Sequence, residues 1–420
     1  MKRPNRLLAI LAAFLLLAGC AAGTPQLNSA PATGQSSVQT DPAQYAGGLH
    51  TLMLAANSAN LVNGTADAGG FCYIQPNPEN ILTGTLRRID YADGQDAPLA
   101  LSSGGSDPSR LDSLVGEYGV FSWDGELYLL QSGARGYENS DLGDKALGAL
   151  SRLDPDTGSW ALLHQTAAGT LLLGDAAADD QGRLYLLEQT SGAVKLIRLD
   201  RQTGQTASLA SFGVDARLLG ARDTLLYLSC TAPEGGLQIL SCDPATGSTQ
   251  TVLSLPGDGS GTPLVCGDTL YYFPYDQPTV LLYSLSGEQQ GSIDLSAALN
   301  GKTVYEQIYA VGDFLFLPIY DSGAKAYGTV VFSTRDQSVQ TSRITFHDEE
   351  KNEDYSALVV AETGDDLLVL TRRSFTDAVM PQGDGTTLSV SLPRYGFSRI
   401  SRQDYLASRA DGLQSIRSDS

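Results

Sequence analysis

Histidine is almost missing from this chain of 420 residues: there are three, at positions 50, 164 and 347, each in a different segment. With so few, and with no HExxH, no CxxC and no His cluster, zinc and haem have no ligand set, and no metal or cofactor is expected. Charge is scarce too, at 18%, and one-sided: 27 Lys and Arg stand against 47 Asp and Glu, a net charge of −20. A nucleic-acid binder needs a basic stripe, so nucleic acid is excluded as a partner. Such acidity also disfavours direct docking on anionic lipid. There is no GxSxG elbow, no Walker loop and no Rossmann GxGxxG after a strand, so no catalytic residue is assigned. A Ser–His–Asp triad drawn from distant segments stays open, because such triads are spatial. His347-Asp348-Glu349-Glu350 places a histidine beside carboxylates, but reads as a solvated charge run.

Long apolar runs are also lacking. Leu7 to Ala18 is an apolar stretch of 12 residues, and a spanning helix needs about 20. It follows Lys2, Arg3 and Arg6 and ends in Leu17-Ala18-Gly19-Cys20, which resembles the lipobox of bacterial lipoproteins. The resemblance implies cleavage before Cys20 and a lipid on its thiol and new amino group, hence a membrane anchor on the extracytoplasmic side. The expected organisation is a signal peptide over 1–19, a flexible lipid-anchored linker over 20–47, a folded domain over 48–414 and a tail over 415–420. Residues 21–47 are rich in Ala, Gly, Ser, Thr, Pro and Gln and carry one charge, Asp41; they cannot bury enough apolar surface to fold. Four further cysteines, Cys72, Cys230, Cys242 and Cys266, show no disulfide framework and read as buried free thiols.

Glycine (45) and tyrosine (19) are plentiful, as suits strands and turns. Leu150 to Trp160, LSRLDPDTGSW, is an alternating strand, a tight turn and a returning strand. The phrase recurs as IRLDRQTGQ from Ile197 and LSCDPATGS from Leu240, with looser copies at Arg87 and Tyr283. Asp154, Asp156 and Gly158 look like the start of a calcium loop, but the other copies have Gln or Ala at the second acid. The turn needs only the first Asp and the Gly, so a turn is the reading. Aromatic or apolar strands precede these phrases: GFCYIQ, GELYLLQ, GRLYLLE, TLLYLSC, TLYYFPY, FLFLPIY and DLLVLTR. Seven copies about 42 to 57 residues apart, with about four short strands each, predict an all-β fold, a seven-bladed β-propeller. The last blade lacks a clear fourth strand, and Leu49 to Ala55 is expected to supply it and close the ring.

The opening block resembles a family of Tyr-rich bacterial propeller domains with no assigned function. The match rests on Asn60-Leu61-Val62-Asn63-Gly64, Gly70-Phe71-Cys72-Tyr73 and Leu86-Arg87-Arg88-Ile89-Asp90. Leu153 to Trp160 has a weaker likeness to quinoprotein-type propeller repeats, but the other copies lack the Trp.

The DPxTG turns are short and leave on one face of such a ring. The long connections leave on the other: Gln131 to Lys145, Arg372 to Thr387, Gln75 to Leu82, Asp321 to Tyr327, Ser102 to Asp112 and Phe346 to Tyr355. Elaboration on one face marks the working face. Arg135, Tyr137, Tyr275, Tyr320, Arg372, Arg373 and Phe375 stand there as candidate binding residues, with the two arginines as a basic spot. The expected role is a monomeric binding or scaffolding module for a protein, peptide or glycan. The alternatives are a propeller glycan hydrolase or lyase with scattered carboxylates, or an envelope assembly factor.

Overall fold

The computed structural model describes residues 48–55, 59, 62–99, 110–111, 118–132, 148–154, 159–167, 169–256, 260–381 and 385–418. Residues 1–47, where a leader, a linker and a lipid-bearing Cys20 were expected, lie outside them. The described residues form seven sheets, each built on four consecutive antiparallel strands of the chain. These are the seven blades of a β-propeller, in chain order.

Blade one runs Gly64–Ala66, Gly70–Asn77, Asn80–Asp90 and Gln95–Pro98, and blade two runs Tyr118–Trp123, Glu126–Gln131, Ala149–Leu153 and Trp160–Gln165. Blade three is Leu171–Asp179, Arg183–Gln189, Val194–Asp200 and Thr206–Phe212; blade four is Arg217–Arg222, Leu225–Thr231, Leu237–Asp243 and Ser248–Leu255. Blade five is Gly261–Cys266, Thr269–Pro274, Thr279–Ser284 and Gln289–Asp294. Blade six is Tyr309–Val311, Phe314–Asp321, Ala326–Ser333 and Val339–Ser342; blade seven is Leu358–Thr363, Asp366–Pro381, Thr387–Ser401 and Gln414–Ser415. First strands of successive blades touch one another and line the channel, whereas fourth strands such as Ser248–Leu255 are mostly exposed.

The local chemistry explains the hairpins. Trp123 pairs with Glu126 across Asp124 and Gly125, both at positive φ (53° and 77°). That is the mirror-image turn whose twist matches the strands it joins. In the LDxxTG phrases, the Asp200 carboxylate accepts the Gln202 and Thr203 N–H groups at 3.0 and 2.8 Å, and the Gly204 N–H returns to the Asp200 carbonyl at 2.8 Å. Asp243 and Gly247 repeat this, with Gly247 at φ 71°. A Cβ on Gly247 would lie 2.4 Å from the Leu209 carbonyl oxygen of blade three, so glycine serves both the turn and the blade contact.

The core lies between blades. Second strands bury both faces, as in FCYI of blade one and LYLL of blade three. Tyr128, Tyr185, Phe71 and Phe316 are each under 2% exposed. Each such side chain contributes about 1.5–3 kcal/mol by leaving water. Separate clusters join blades two to three, three to four, four to five and five to six. The largest cluster is shared by blades six, seven and one, and brings Phe71 and Tyr73 of blade one against Phe397 of blade seven.

The ring closure differs from the sequence expectation. Leu49–Met53 is not an outer strand of blade seven. It pairs antiparallel with Leu171–Asp179, the inner strand of blade three, with Leu49 opposite Asp179. It lies in the channel against the inner strands of blades two and four as well. Blade seven makes its own outer strand, Gln414–Ser415, only two residues long. Arg417 and Ser418 then step across to pair in parallel with Gln95 and Asp96 at the outer edge of blade one. The strap is therefore C-terminal. The N-terminal strand is claimed by an inner edge because that edge offers unpaired backbone and an apolar wall for Leu49 and Met53, both 6% exposed.

Candidate functional site

In the channel, Leu52, Met53 and Leu54 meet Val120, Val311, Val360 and Ala361 around a cavity of about 330 Å³. Its described lining holds one carboxylate, Glu362, which is paired with Arg402. The N-terminal strand is held at depth by Asp175, whose Oδ1 accepts the Ala55 N–H at 2.8 Å. Desolvation raises the Asp175 pKa; the Ala55 bond and the Arg217 charge oppose it. The chain enters beside turns of the short-turn face, with the Gly48 N–H on Asp180 and the Leu49 N–H on the Asp223 carbonyl. All three histidines pair with carboxylates: His50 with Asp180, His164 with Glu188 and His347 with Asp354. Among the described residues no group of three or more His, Cys, Asp or Glu is placed to hold a metal. Cys72, Cys230 and Cys242 are buried free thiols, and Cys266 is a partly exposed one.

The opposite face carries a continuous aromatic patch where blade six meets blade seven. Tyr320, at the end of the second strand of blade six, lies 4.7 Å from Tyr327 at the start of the third. Tyr327 lies 5.1 Å from Tyr305 and 4.7 Å from Tyr355, and Tyr355 is stacked 5.6 Å from Phe346. Tyr305 comes from the connection into blade six. Phe346 and Tyr355 come from a small hairpin, Thr345–Asp348 with Glu353–Ser356, that pairs in parallel with blade seven at His347–Arg372. Tyr355 and Phe346 are buried and form the floor; Tyr305, Tyr320 and Tyr327 are half-buried and form its open side. The Tyr305 hydroxyl accepts the Ser356 N–H at 3.1 Å, which fixes that ring. Burial pushes the Tyr305 hydroxyl up to about 12.

Blade seven completes the patch with its long hairpin. Asp366–Pro381 and Thr387–Ser401 stay paired from Asp366–Ser401 out to Pro381–Thr387. The stretch from Arg372 to Thr387, expected to be a loop, is mostly strand. Arg373 and Phe375 point to one side of it, and the Arg373 guanidinium lies 5.4 Å from the Phe346 ring and 5.5 Å from the Phe375 ring. Arg373 is neutralised by Asp348, which is fully buried and also accepts the Glu350 N–H at 3.1 Å. Burial is the largest influence on the Asp348 pKa and would raise it; the bond and charge of Arg373, with the Lys351 N–H and charge, together outweigh it, and the net shift is downward. Arg372 points outward and pairs with Glu349 at 2.5 Å. The basic spot expected at the two arginines is thus cancelled by carboxylates of the adjacent hairpin.

Of the seven candidate binding residues, the fold unites Tyr320, Arg373 and Phe375. Arg372 stands beside them. Tyr275 is apart on blade five, 68% exposed, with its hydroxyl 3.0 Å from Thr262 Oγ1. Arg135 and Tyr137 lie outside the described residues, as do most of Gln131 to Lys145 and Ser102 to Asp112. Asp321 to Tyr327 and Gln75 to Leu82 are not long loops but tight turns between extended strands. Sequence reasoning missed Tyr305, Tyr327, Tyr355 and Phe346. The signal available was the tyrosine density in blades six and seven, just where the LDxxTG phrase disappears.

No family model matches the chain, and no curated protein matches it. Solved structures that resemble it include β-propeller proteins. One is a prolyl endopeptidase analysed for inter-domain dynamics in catalysis and specificity (14% identity, TM-score 0.47, covering 88% of this chain and 50% of that one). Another is the propeller domain of the trilobed protease from Pyrococcus furiosus (8%, 0.49, 82% and 97%). A third is Sqt1 of Saccharomyces cerevisiae (9%, 0.45, 88% and 86%). The chain spans half the length of the prolyl endopeptidase it matches.

Proposed function

We propose that this chain is a ligand-binding β-propeller, carried outside the cytoplasmic membrane on a lipid at Cys20, and that the aromatic patch between blades six and seven is its binding surface. The observation that carries this reading is the run Tyr305–Tyr327–Tyr320 left half-open over a buried aromatic floor. Tyrosines of this kind offer large, rigid contact area with a polar tip, and they are favoured at binding hot spots. A hydrolase or lyase reading would be supported by two facing carboxylates. The described lining of the cavity beside the N-terminal strand offers one, already paired. Gly48, to which the expected tether is joined, stands at the face opposite the patch.

The test uses detergent-solubilised full-length chain on peptide and glycan arrays. A Tyr320→Ala, Tyr327→Ala variant should lose captured ligands about tenfold or more, while Thr246→Ala in a short turn of the other face should not. The reverse pattern places the binding surface on the wrong face. Replacing Cys20 by Ser should move the protein from membrane to soluble fractions; a variant that still sediments removes the anchor.

A further inference from the structure

The long hairpin of blade seven leaves one strand edge open to water. Between Thr387 and Gly396 the returning strand is paired on one side, with Asp366–Pro381, in unbroken register from Arg372–Gly396 to Pro381–Thr387. Its other side is taken up only from Phe397 on: the Ile416 N–H reaches the Phe397 carbonyl, and Gln414–Ser415 pairs with Ser398 and Arg399. Before that point the outer side makes no backbone hydrogen bond among the described residues. Thr387, Leu388, Ser389 and Ser391 are exposed, Leu388 at 51%.

Such edges are templates for pairing with another chain, and proteins blunt them with charge, bulges or a cover. This molecule does so elsewhere. The outer strands of blades two to five each carry a register irregularity where they pair with the third strand. The inner edge of blade three is covered by Leu49–Met53, and the outer edge of blade one by Arg417 and Ser418. The edge at Thr387 has none of these devices. Its register is regular, and from Gly385 to Pro393 it carries no charge, on a chain with 47 acidic residues.

The sequence of the edge names its occupant. Leu388-Ser389-Val390-Ser391-Leu392 reads the same in both directions about Val390. Two identical strands paired antiparallel about a two-fold axis at Val390 set that residue against itself, Leu388 against the second copy's Leu392, and Ser389 against the second copy's Ser391. We infer that this edge joins two copies of the chain through residues 387–393, making one four-stranded sheet from two hairpins. The inference goes beyond the aromatic patch and does not depend on it, and it departs from the monomer expected from the sequence. Each exposed Leu388 gains an apolar neighbour. Thr387 lies opposite the second copy's Pro393, clear of Ser398, where Gln414–Ser415 already holds the edge. One strand pair is small beside the about 1,200–2,000 Å² of a stable interface. Association should therefore be weak, on the order of micromolar or above.

The test is sedimentation equilibrium of the full-length chain in density-matched detergent. The chain should pass from monomer to dimer as its concentration rises. Ser389→Lys, Ser391→Lys changes two exposed positions, sets like charges opposite each other twice, and should weaken the dimer about tenfold or more. Ser389→Glu, Ser391→Glu should do the same, and mixing the two variants should restore a dimer with one copy of each. Cross-linking reads the register. Under mild oxidation with copper–phenanthroline, Val390→Cys should link two copies, whereas Leu388→Cys and Leu392→Cys should link only when mixed. The unaltered chain gives the background from its native thiols. A chain that stays monomeric at millimolar concentration overturns the inference and leaves the edge to an extended segment of another protein. A dimer that both charged variants keep, or that Val390→Cys fails to link above background, is held elsewhere on the molecule and overturns it as well.

Discussion

Blades three and four, set beside blades six and seven, show one architecture used for two purposes. In blades three and four every connection is a tight turn, and the LDxxTG phrase closes each sheet. In blades six and seven the phrase is gone; a small extra hairpin is inserted between them, and one hairpin runs well past its sheet. Repetition marks where the chain needs only to stack. Departure from it marks where side chains are free to meet something else.

The largest effect expected from breaking this contrast comes at the closure. Phe397 touches Phe71 at 6.0 Å and Tyr73 at 5.3 Å across the seam between blades seven and one. Phe397→Ala should cost about 3–5 kcal/mol in denaturant unfolding and weaken ligand capture. Leu228→Ala in the core of blade four should cost about 2–5 kcal/mol but leave capture intact once the protein is folded. If the two variants lose binding equally, the distinction between stacking blades and working blades fails.

A smaller effect is expected inside the patch. Asp348→Ala strands the Arg373 guanidinium, which keeps 27% of its side chain exposed, so the cost falls near about 3 kcal/mol, the low end for a broken buried pair. Because the folded pKa of Asp348 is lowered, its contribution is present at neutral pH and lost as pH falls below the ordinary aspartate range. Urea unfolding at neutral and acid pH should show the gap between wild type and variant shrinking in acid.

The smallest effect is expected in the channel. Asp175→Asn keeps an acceptor for the Ala55 N–H and removes a carboxyl whose folded pKa burial has raised. The wild-type carboxyl loses stability as pH rises through that value, so the variant should match or exceed wild type at neutral pH by up to about 1 kcal/mol, and its stability should vary less with pH. A clear loss at neutral pH would show that Asp175 is held ionised by the N-terminal strand.

The blades were legible because their signals are local. Alternation in Leu237–Asp243 and the Asp–Gly pair of its turn specify a hairpin without help from elsewhere. The long hairpin of blade seven was legible in one half only. Beyond Arg373 the outgoing strand, Ser374 to Pro381, mixes polar and apolar residues on both faces and takes its register from its partner; the returning Thr387 to Leu392 alternates polar and apolar, a strand signal that the reading of a loop passed over. Leu49–Met53 reads as a strand, but its partner is set by a register with residues 176–179 that no local pattern reveals. Of the patch, Tyr320, Arg373 and Phe375 were legible as elaborations of one face. Their convergence with Tyr305, Tyr327 and Tyr355 depends on how blade six turns against blade seven, which is a matter of packing.

The position of the N-terminal strand also sets an order of events. The Ala55 N–H finds Asp175 across 120 positions, and the Thr51 hydroxyl finds the Ala221 N–H across 170. As the chain is synthesised, residues 48–55 emerge before any of their partners exist, and must stay unpaired until blades three and four have formed. Closing loops of that length is slow, so the first segment of the folded ring to leave the ribosome is among the last to settle. Its apolar face, Leu49 and Met53, is meanwhile the surface on which a chaperone has longest to act.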